Sequence, residues 1–342
     1  MSMSEPNDTV RDKFNRPIRD LRISVIDRCN FRCPYCMPAE NFPEHYAFLP
    51  RSAWLSHEEI DRLTRLFVAN GVNKVRLTGG EPLLRPDLAE LVRNLAKIDG
   101  IDDLALTTNG VLLEKQIPAL SEAGLHRVNV SIDSLDDDVF RKMSGGRNSR
   151  SVVVAGIRAA QAAGLIVKLN VVVQRGVNDH TLISLLRAFR GSGVIVRFIE
   201  FMDVGTLNGW EMAHVVPARE LVERIDSEWP LRSLEENYRG EVAKRYEFAD
   251  GGGEIGFITS VTDPFCGSCG RARLSAEGKL YTCLFATEGL DLRTPLRDGA
   301  SDDELAEILT SRWTQRDDRY SEQRVPAKIS RRRKVEMYHI GG

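Results

Sequence analysis

A repeated βα unit constrains the fold more strongly than any other feature of the sequence. In five places a glycine stands directly before a short apolar stretch, at Gly71, Gly100, Gly124, Gly164 and Gly193. Their separations of 29, 24, 40 and 29 residues lie around the length of roughly 30 residues that a βαβ unit needs. Glycine is favoured just after a helix, so each unit is interpreted as a helix followed by a strand. With a first strand at residues 21–27, the pattern predicts six parallel strands alternating with helices.

The segment at residues 56–70 shows how the connecting helices are encoded. Ser56 and Glu59 have the spacing of a capping box, in which each side chain bonds to the other residue's backbone. Ile60, Leu63 and Phe67 follow at helical spacing. The segment is therefore predicted to be a helix with one apolar face.

Two folds with parallel strands remain open at this point, a doubly wound sheet and an incomplete (β/α)6 barrel resembling a TIM barrel. In the second strand Lys74, Arg76 and Thr78 alternate with Val75 and Leu77, and because side chains alternate between faces, one face is polar. The other members of this polar face are Arg22, Ser24, Thr107, Asn129, Ser131, Asp133, Lys168 and Asn170. Buried cations without partners are costly, so we interpret this face as the lining of an open cavity that holds water or an anion. This favours an incomplete (β/α)6 barrel, to which a C-terminal extension with the remaining cysteines is added. The alternative is that the strands are wrongly registered and these residues are surface charges.

The βα rhythm stops after about residue 213, and this sets the predicted domain boundaries. We expect an N-terminal extension at residues 1–20, a partial barrel at 21–212 and a C-terminal region at 213–342. The C-terminal region contains a predicted helix, a hairpin that turns at residues 250–253, and a segment with cysteines that packs onto the barrel.

Charge and hydropathy exclude several classes of function. A net charge of -2 gives no reason to expect nucleic-acid binding, and no stretch is apolar enough for a signal peptide or a membrane helix. The expected location is therefore cytoplasmic. In a reducing compartment the six cysteines are better explained as metal ligands or catalytic groups than as disulfides.

The first three cysteines, Cys29, Cys33 and Cys36, come directly after the first strand in the stretch CNFRCPYC. Three thiolates cannot complete a tetrahedral zinc site. They can hold three irons of a [4Fe-4S] cluster and leave the fourth iron open to another ligand. The stretch TGGEPLL at residues 78–84 follows the second strand, where paired glycines would permit close approach of a ligand to the backbone.

The second set, Cys266, Cys269 and Cys283, uses every remaining cysteine. A zinc knuckle is the structural alternative, but the nearest histidines, His214 and His339, are far away in sequence. A second cluster with three cysteines would offer its open iron to a substrate. Two arginines that suit phosphate oxygens follow at alternating positions, Arg271 and Arg273.

These motifs resemble those of the radical S-adenosylmethionine superfamily, and residues 11–342 resemble the GTP 3',8-cyclase family within it. The resemblance implies two [4Fe-4S] clusters, one that binds S-adenosylmethionine and one that binds the substrate GTP. It implies catalytic roles for Cys29, Cys33, Cys36, Arg271 and Arg273, and metal binding by all six cysteines. The implied S-adenosylmethionine positions are Tyr35, Gly80, Ser131 and Met202. The implied GTP positions are Arg22, Arg76, Thr107, Lys168, Arg271 and Arg273.

The reaction implied by the resemblance is the first step of molybdenum cofactor biosynthesis. A 5'-deoxyadenosyl radical takes hydrogen from C3' of GTP, and the ribose radical attacks C8 of guanine. The implied partners are a flavodoxin or ferredoxin as electron donor and cyclic pyranopterin monophosphate synthase as recipient of the product, and a homodimer is compatible with the resemblance. The terminal Gly341 and Gly342 resemble a tail that reaches the active site in this family. The basic run at residues 331–334 is interpreted as a solvated charge cluster without a role.

Two other functions were weighed. A peptide-modifying radical enzyme usually has more cysteines in its C-terminal part, and Arg271 and Arg273 would have no evident task there. A non-catalytic metal-binding or electron-transfer protein would not need the GGEP loop or two sites that each lack a fourth ligand.

Overall fold

The structure is a computed structural model that describes residues 9–324 and 334–342. Six parallel strands lie side by side in the order of the chain. They are β1 (Asp20–Ser24), β2 (Lys74–Thr78), β3 (Asp103–Thr108), β4 (Arg127–Ser131), β5 (Ile166–Val173) and β6 (Ile195–Glu200). A doubly wound sheet would reverse its strand order in the middle, and this sheet does not. The prediction of an incomplete (β/α)6 barrel is confirmed.

The helices that connect these strands are α1 (His57–Ala69), α2 (Leu88–Leu95), α3 (Leu113–Glu122), α4 (Asp137–Ser144), α5 (Arg150–Ala162) and α6 (Leu182–Phe189). At the start of α1 both halves of the predicted capping box are formed, between Ser56 and Glu59. The five glycines of the repeat all have positive φ, from 77° to 108°. They lie between the end of a helix and the next strand, where a left-handed residue lets the chain turn back.

The core lies between the strands and the helices. Val75 and Leu77 of β2 and Val128 and Val130 of β4 are almost completely buried there. On the helical side they meet the apolar face of the helices, to which Phe67 of α1 belongs. The apolar side chains on one face of each strand therefore stabilise the fold. The polar side chains, which alternate with them, lie on the opposite face of the sheet.

The C-terminal region extends the sheet on both of its sides. After α7 (Ala218–Glu228), β7 (Leu231–Leu234), β8 (Lys244–Phe248) and β9 (Glu254–Ile258) form an antiparallel unit, and β9 pairs in parallel with β6. On the other side β10 (Arg271–Leu274) pairs in parallel with β1, followed by β11 (Lys279–Tyr281) and β12 (Leu290–Asp291). The chain ends with α8 (Arg293–Arg297), α9 (Asp302–Thr314) and α10 (Met337–Ile340).

The C-terminal region is thus joined to the barrel by hydrogen bonds between strands, and this goes beyond the packing expected from the sequence. The boundary at residue 212 stays a prediction. None of the helices within residues 9–324 and 334–342 is both long and apolar enough to cross a membrane.

Removing the N-cap of α1 is expected to destabilise the protein. Ser56→Ala deletes the hydroxyl that accepts the Glu59 N–H bond, and such a loss costs about 1 kcal/mol. Anaerobic urea unfolding would measure the change in free energy. The control, Ser227→Ala, changes an exposed serine near the end of α7 and is expected to alter stability by less than about 0.5 kcal/mol. Equal effects of the two variants would contradict a specific capping role.

Candidate active site

The polar side chains on the inner face of the strands line a cavity of about 740 Å³ inside the partial barrel. Of the predicted polar face, all except Ser24 and Asn129 line the cavity, and those two are buried beside it. The alternative that these residues are surface charges is therefore wrong. All six cysteines and every other predicted site residue also line this cavity. These are Arg22, Tyr35, Arg76, Gly80, Thr107, Ser131, Lys168, Met202, Arg271 and Arg273.

The loop that carries the first three cysteines rests on the glycines of the TGGEP stretch. The Gly80 N–H donates to the Ile26 carbonyl at 2.7 Å, and the Glu81 N–H donates to the Arg28 carbonyl at 2.7 Å. A Cβ on Gly80 would lie 2.1 Å from the Arg28 oxygen. In the structure Gly80 is therefore needed for close contact with the cysteine loop. Its approach to S-adenosylmethionine stays a prediction.

Glu81 joins the TGGEP stretch to the end of β3 and, through Asn109, to the cysteine loop. Its buried carboxylate accepts from the Thr108 hydroxyl at 2.6 Å and from the Asn109 N–H at 2.7 Å. The Asn109 amide in turn donates to Asn30, next to Cys29, at 2.7 Å. Burial raises the pKa of Glu81 to about 7. The predicted TGGEPLL motif contains Glu81, but the sequence did not indicate its function. Its partners follow another strand and cannot be identified from the motif.

Tyr35 is held by a second carboxylate. Its hydroxyl donates to Asp133 at 2.8 Å, and the other oxygen of Asp133 accepts from the Val172 N–H at 2.8 Å. The end of the cysteine loop is thereby tied to the ends of β4 and β5.

The two cysteine sets lie in different electrostatic environments. Burial raises the pKa of the Cys29 thiol to about 12, and it also raises the pKa values of Cys33 and Cys36. At Cys269 burial acts in the same direction, but Arg271 and Arg316 outweigh it and lower the pKa to about 6. Burial also raises the pKa of Cys283 to about 12, so the contrast concerns Cys269, where two cations outweigh burial, whereas Arg32 near Cys29 does not.

Five of the cations on the cavity wall have no acidic partner among the described residues. None of Arg22, Arg76, Lys168, Arg197 and Arg273 forms an ion pair with a carboxylate in the part of the chain that the structure describes. Burial followed by repulsion from neighbouring arginines lowers the pKa of Arg197 to about 9. The buried Nε atoms of Arg76 and Arg197 have no hydrogen-bond partner. Such a cluster is suited to a polyanionic ligand, which would supply the missing acceptors.

Arg197 is a candidate ligand residue that the sequence prediction missed. It belongs to β6 and donates to the side-chain oxygens of Asn129 and Asn170 at 2.8 and 2.7 Å. The alternation in Ile195–Glu200 would have indicated it, had the polar face been followed into the sixth strand. Arg127 also lines the cavity, but its charge is paired with Asp103 at 2.6 Å.

Arg271 and Arg273 share one face of β10, as their spacing predicted, while Ala272 between them is buried on the other side. Arg271 donates to the Cys269 sulfur at 3.2 Å. Arg273 donates to the carbonyl of Gly341. The terminal glycines therefore reach the cavity, and Gly342 lines it.

A buried ionic cluster anchors the chain before this tail. Asp203 follows Met202 and accepts from Tyr320 at 2.5 Å, from Arg324 at 2.9 Å and from Lys334 at 2.9 Å. Residues 331–333 of the basic run lie outside the described residues. Lys334 is buried, so the interpretation of the run as solvated charge is wrong for this residue.

Comparisons with known proteins bear directly on this cavity. The Radical SAM superfamily model matches residues 23–189, and the Molybdenum Cofactor Synthesis C model matches residues 194–322. A GTP 3',8-cyclase of Xanthomonas campestris pv. campestris (strain B100) is 55% identical over 97% of both chains. The GTP 3',8-cyclase of Staphylococcus haemolyticus (strain JCSC1435) is 46% identical over 97% of this chain and 99% of its own. The chain belongs to the GTP 3',8-cyclase family.

A solved structure supports the fold of this cyclase family member. Streptococcus suis SuiB bound to S-adenosylmethionine matches 87% of this chain and 69% of its own, with a TM-score of 0.59 and 16% identity. At that identity the likeness concerns the fold alone. SuiB has also been crystallised with its precursor peptide SuiA. Because the likeness to SuiB concerns the fold alone, it does not support the peptide-modifying alternative.

Membership of the radical S-adenosylmethionine superfamily means that this cyclase family member uses S-adenosylmethionine and an iron–sulfur cluster. The residues fit such a cluster, because all six cysteines are free thiols and all face the cavity. Within the described residues, no three His, Cys, Asp or Glu side chains are grouped as they would be around a single metal ion.

Gly80→Ala is expected to disrupt the first cysteine loop. The new methyl group would collide with the Arg28 carbonyl, so the loop must shift and the first cluster should be lost or left unable to cleave S-adenosylmethionine. Iron content and 5'-deoxyadenosine formation would measure this. The control Gly164→Ala adds a methyl group where no atom lies within 4 Å, although φ is positive, and it should cost only stability, about 1 kcal/mol. Normal 5'-deoxyadenosine formation by Gly80→Ala would contradict the role of this contact.

Proposed function

We propose that this protein converts GTP to (8S)-3',8-cyclo-7,8-dihydroguanosine 5'-triphosphate, the first step of molybdenum cofactor biosynthesis. The observation that carries the proposal is that two sets of three free cysteines and a cluster of unpaired cations face one cavity. The relatives that share nearly the whole chain are named GTP 3',8-cyclase. An electron-transfer protein would have no use for the cations.

In this proposal Cys29, Cys33 and Cys36 hold a [4Fe-4S] cluster with one open iron. Tyr35, Gly80, Ser131 and Met202 line the adjacent part of the cavity and bind S-adenosylmethionine. When bound, the cluster and S-adenosylmethionine would supply a 5'-deoxyadenosyl radical able to take the C3' hydrogen of GTP; once C3' has joined guanine C8, one electron and one proton would be needed to complete the cyclised product. The protein's own contribution is to orient both reactants and exclude water.

Cys266, Cys269 and Cys283 hold a second [4Fe-4S] cluster, against which the guanine edge binds. Arg22, Arg76, Thr107, Lys168, Arg271 and Arg273 bind the rest of GTP, with Arg197 added from the structure. The unpaired cations favour a triphosphate because its charge offsets their mutual repulsion. The second cluster is supported by the donor set, which repeats the free thiols of the first.

The proposal also includes an electron donor, the enzyme that receives the product, and the domain organisation. A flavodoxin or ferredoxin supplies electrons, and the product passes to cyclic pyranopterin monophosphate synthase in the cytoplasm. The barrel at residues 21–212 and the C-terminal region at 213–342 form the two domains, and a homodimer is compatible with the resemblance. The resemblance to the cyclase family supports these points, and each is open to direct measurement.

Isotope transfer from labelled substrate tests the proposed reaction. The reconstituted protein is given S-adenosylmethionine, a strong reductant and GTP deuterated at C3', and products are followed by mass spectrometry. Deuterium in 5'-deoxyadenosine together with a cyclised nucleotide is the expected result. ATP should not be converted, because adenine lacks the O6 and N2 groups of guanine. Unlabelled 5'-deoxyadenosine without nucleotide conversion, or equal conversion of ATP, would refute the substrate assignment.

Binding of GTP is expected to weaken as the pH rises above about 8. Burial, with repulsion from Arg197 and Arg127, lowers the pKa of Lys168 to about 8. Below this pH the ammonium group is charged and attracts phosphate, and above it the charge is lost. One linked proton predicts a rise in Kd of up to about tenfold per pH unit.

Calorimetry of GTP binding between pH 7.5 and pH 9 would measure this dependence. Lys168→Arg keeps its charge throughout that range and is the matched control, so its affinity should change much less. The same loss of affinity in wild type and Lys168→Arg would contradict the assignment to Lys168.

A further inference from the structure

Three charged side chains are buried together beside the second cysteine set. The exposed fractions of the Asp12, Arg16 and Arg316 side chains are 0%, 2% and 1%. Asp12 accepts from Arg16 Nε at 2.6 Å and from Arg316 Nη1 at 3.1 Å. Residue 12 belongs to a segment that sequence analysis considered a mere N-terminal extension. A second carboxylate, Asp318, lies 3.1 Å from Arg316 Nε. Even a balanced buried ionic group contributes little stability by itself, so stability alone is a weak explanation for this triad.

The triad contacts the backbone at or beside each of the three cysteines. Arg16 donates to the Cys266 carbonyl at 2.7 Å. Arg316 donates to the Cys269 carbonyl at 2.7 Å and to the carbonyl of Thr282, the residue before Cys283, at 3.1 Å. These three positions come from two separate segments of the chain, and the arginines join them.

Arg316 also contacts a sulfur atom directly. Its Nη2 lies 3.5 Å from the Cys269 sulfur. Arg271 also donates a hydrogen bond to this sulfur. Each of the three guanidinium nitrogens of Arg316 is already bonded to a protein acceptor. These bonds direct most of the Arg316 guanidinium toward the cysteine segments, although Arg316 also lines the cavity.

At the first cysteine set the sulfur contacts are neutral. Cys29 receives a bond from the Phe31 N–H at 3.4 Å and a longer contact from the Asn109 amide at 3.9 Å. Arg32 donates to the Cys29 carbonyl and has no bond to a cysteine sulfur among the described residues. Within the described residues, a guanidinium group therefore donates to a cysteine sulfur only at the second set, from Arg271 and Arg316 to Cys269.

We propose that Asp12, Arg16 and Arg316 position the cysteine loops of the second cluster, and that Arg316 raises the reduction potential of that cluster. The proposal rests on the second cluster of the proposed function. Net charge and hydrogen bonds to the sulfurs set the potential of an iron–sulfur cluster, because a nearby cation stabilises the more negative reduced state. The second cluster should therefore accept an electron at a higher potential than the first.

The test is a redox titration of the full-length reconstituted protein, followed by electron paramagnetic resonance. Addition of S-adenosylmethionine identifies the signal of the first cluster. In Arg316→Gln the potential of the second cluster should become more negative, while that of the first stays unchanged. Arg316→Lys keeps the charge and should shift it less. Arg312→Gln changes an exposed arginine of α9 and should not shift it.

Asp12→Asn provides a prediction of opposite sign. It removes the negative charge of the triad and keeps both arginines, so the potential of the second cluster should become more positive. Should Arg316→Gln lose the second cluster, its iron would fall from about eight toward four per chain with the first signal retained, and this supports the positioning role.

Full iron content with unchanged potentials in both Arg316→Gln and Asp12→Asn would overturn the inference and leave the two clusters intact. Wild type that binds only about four irons per chain, all at the first site, would instead refute the second cluster itself. The two failures are therefore distinguishable.

Discussion

Alternation along six parallel strands is the constraint on which the rest of the molecule depends. One parity is apolar and packs against the helices, so the other parity must face the inside of the partial barrel. Arg22, Arg76 and Lys168 occupy that inner face and form no ion pair with a carboxylate among the described residues. Burying these cations costs free energy unless water or an anion fills the cavity. Binding of an anionic ligand therefore offsets that cost.

The C-terminal region turns this charged cavity into a site with two ends. Pairing of β10 with β1 places Arg273 opposite Arg22. Because the two strands are parallel, Cys269, which precedes β10, lies near the start of β1, whereas Cys29 follows its end. On the far side β9 extends the sheet from β6. The bond from Arg273 to Gly341 then draws the end of the chain into the cavity. Strand pairing, more than side-chain packing, therefore determines that the two cysteine sets lie near opposite ends of β1.

The two sets are chemically alike and electrostatically unlike. Both offer three free thiols, but the first is bordered by amide groups and the second by the guanidinium groups of Arg271 and Arg316. Different surroundings for identical donors are the means by which one protein can give two clusters different properties. This difference accords with a division of work in which one cluster generates the radical and the other binds substrate.

The sequence by itself determined the local features and the chemistry. The capping box at Ser56, the glycines between helices and strands, the alternation in β2 and the spacing of the cysteines each depend on a few neighbouring residues, whose conformational preferences act over short range. From these the barrel and most of the polar strand residues that line the cavity could be predicted, although Arg197 was missed. Resemblance to a known family supplied the substrate and the roles.

Only the tertiary structure decided which distant residues meet. The contact of Gly80 with Arg28, the ion pair of Asp203 with Lys334, and the meeting of Arg16 and Arg316 over the cysteine segments join residues far apart in the chain. No periodicity or spacing specifies such pairs, because each depends on how strands and loops are arranged in space. The burial of charged side chains is decided in the same way, since a residue's own identity does not reveal what covers it.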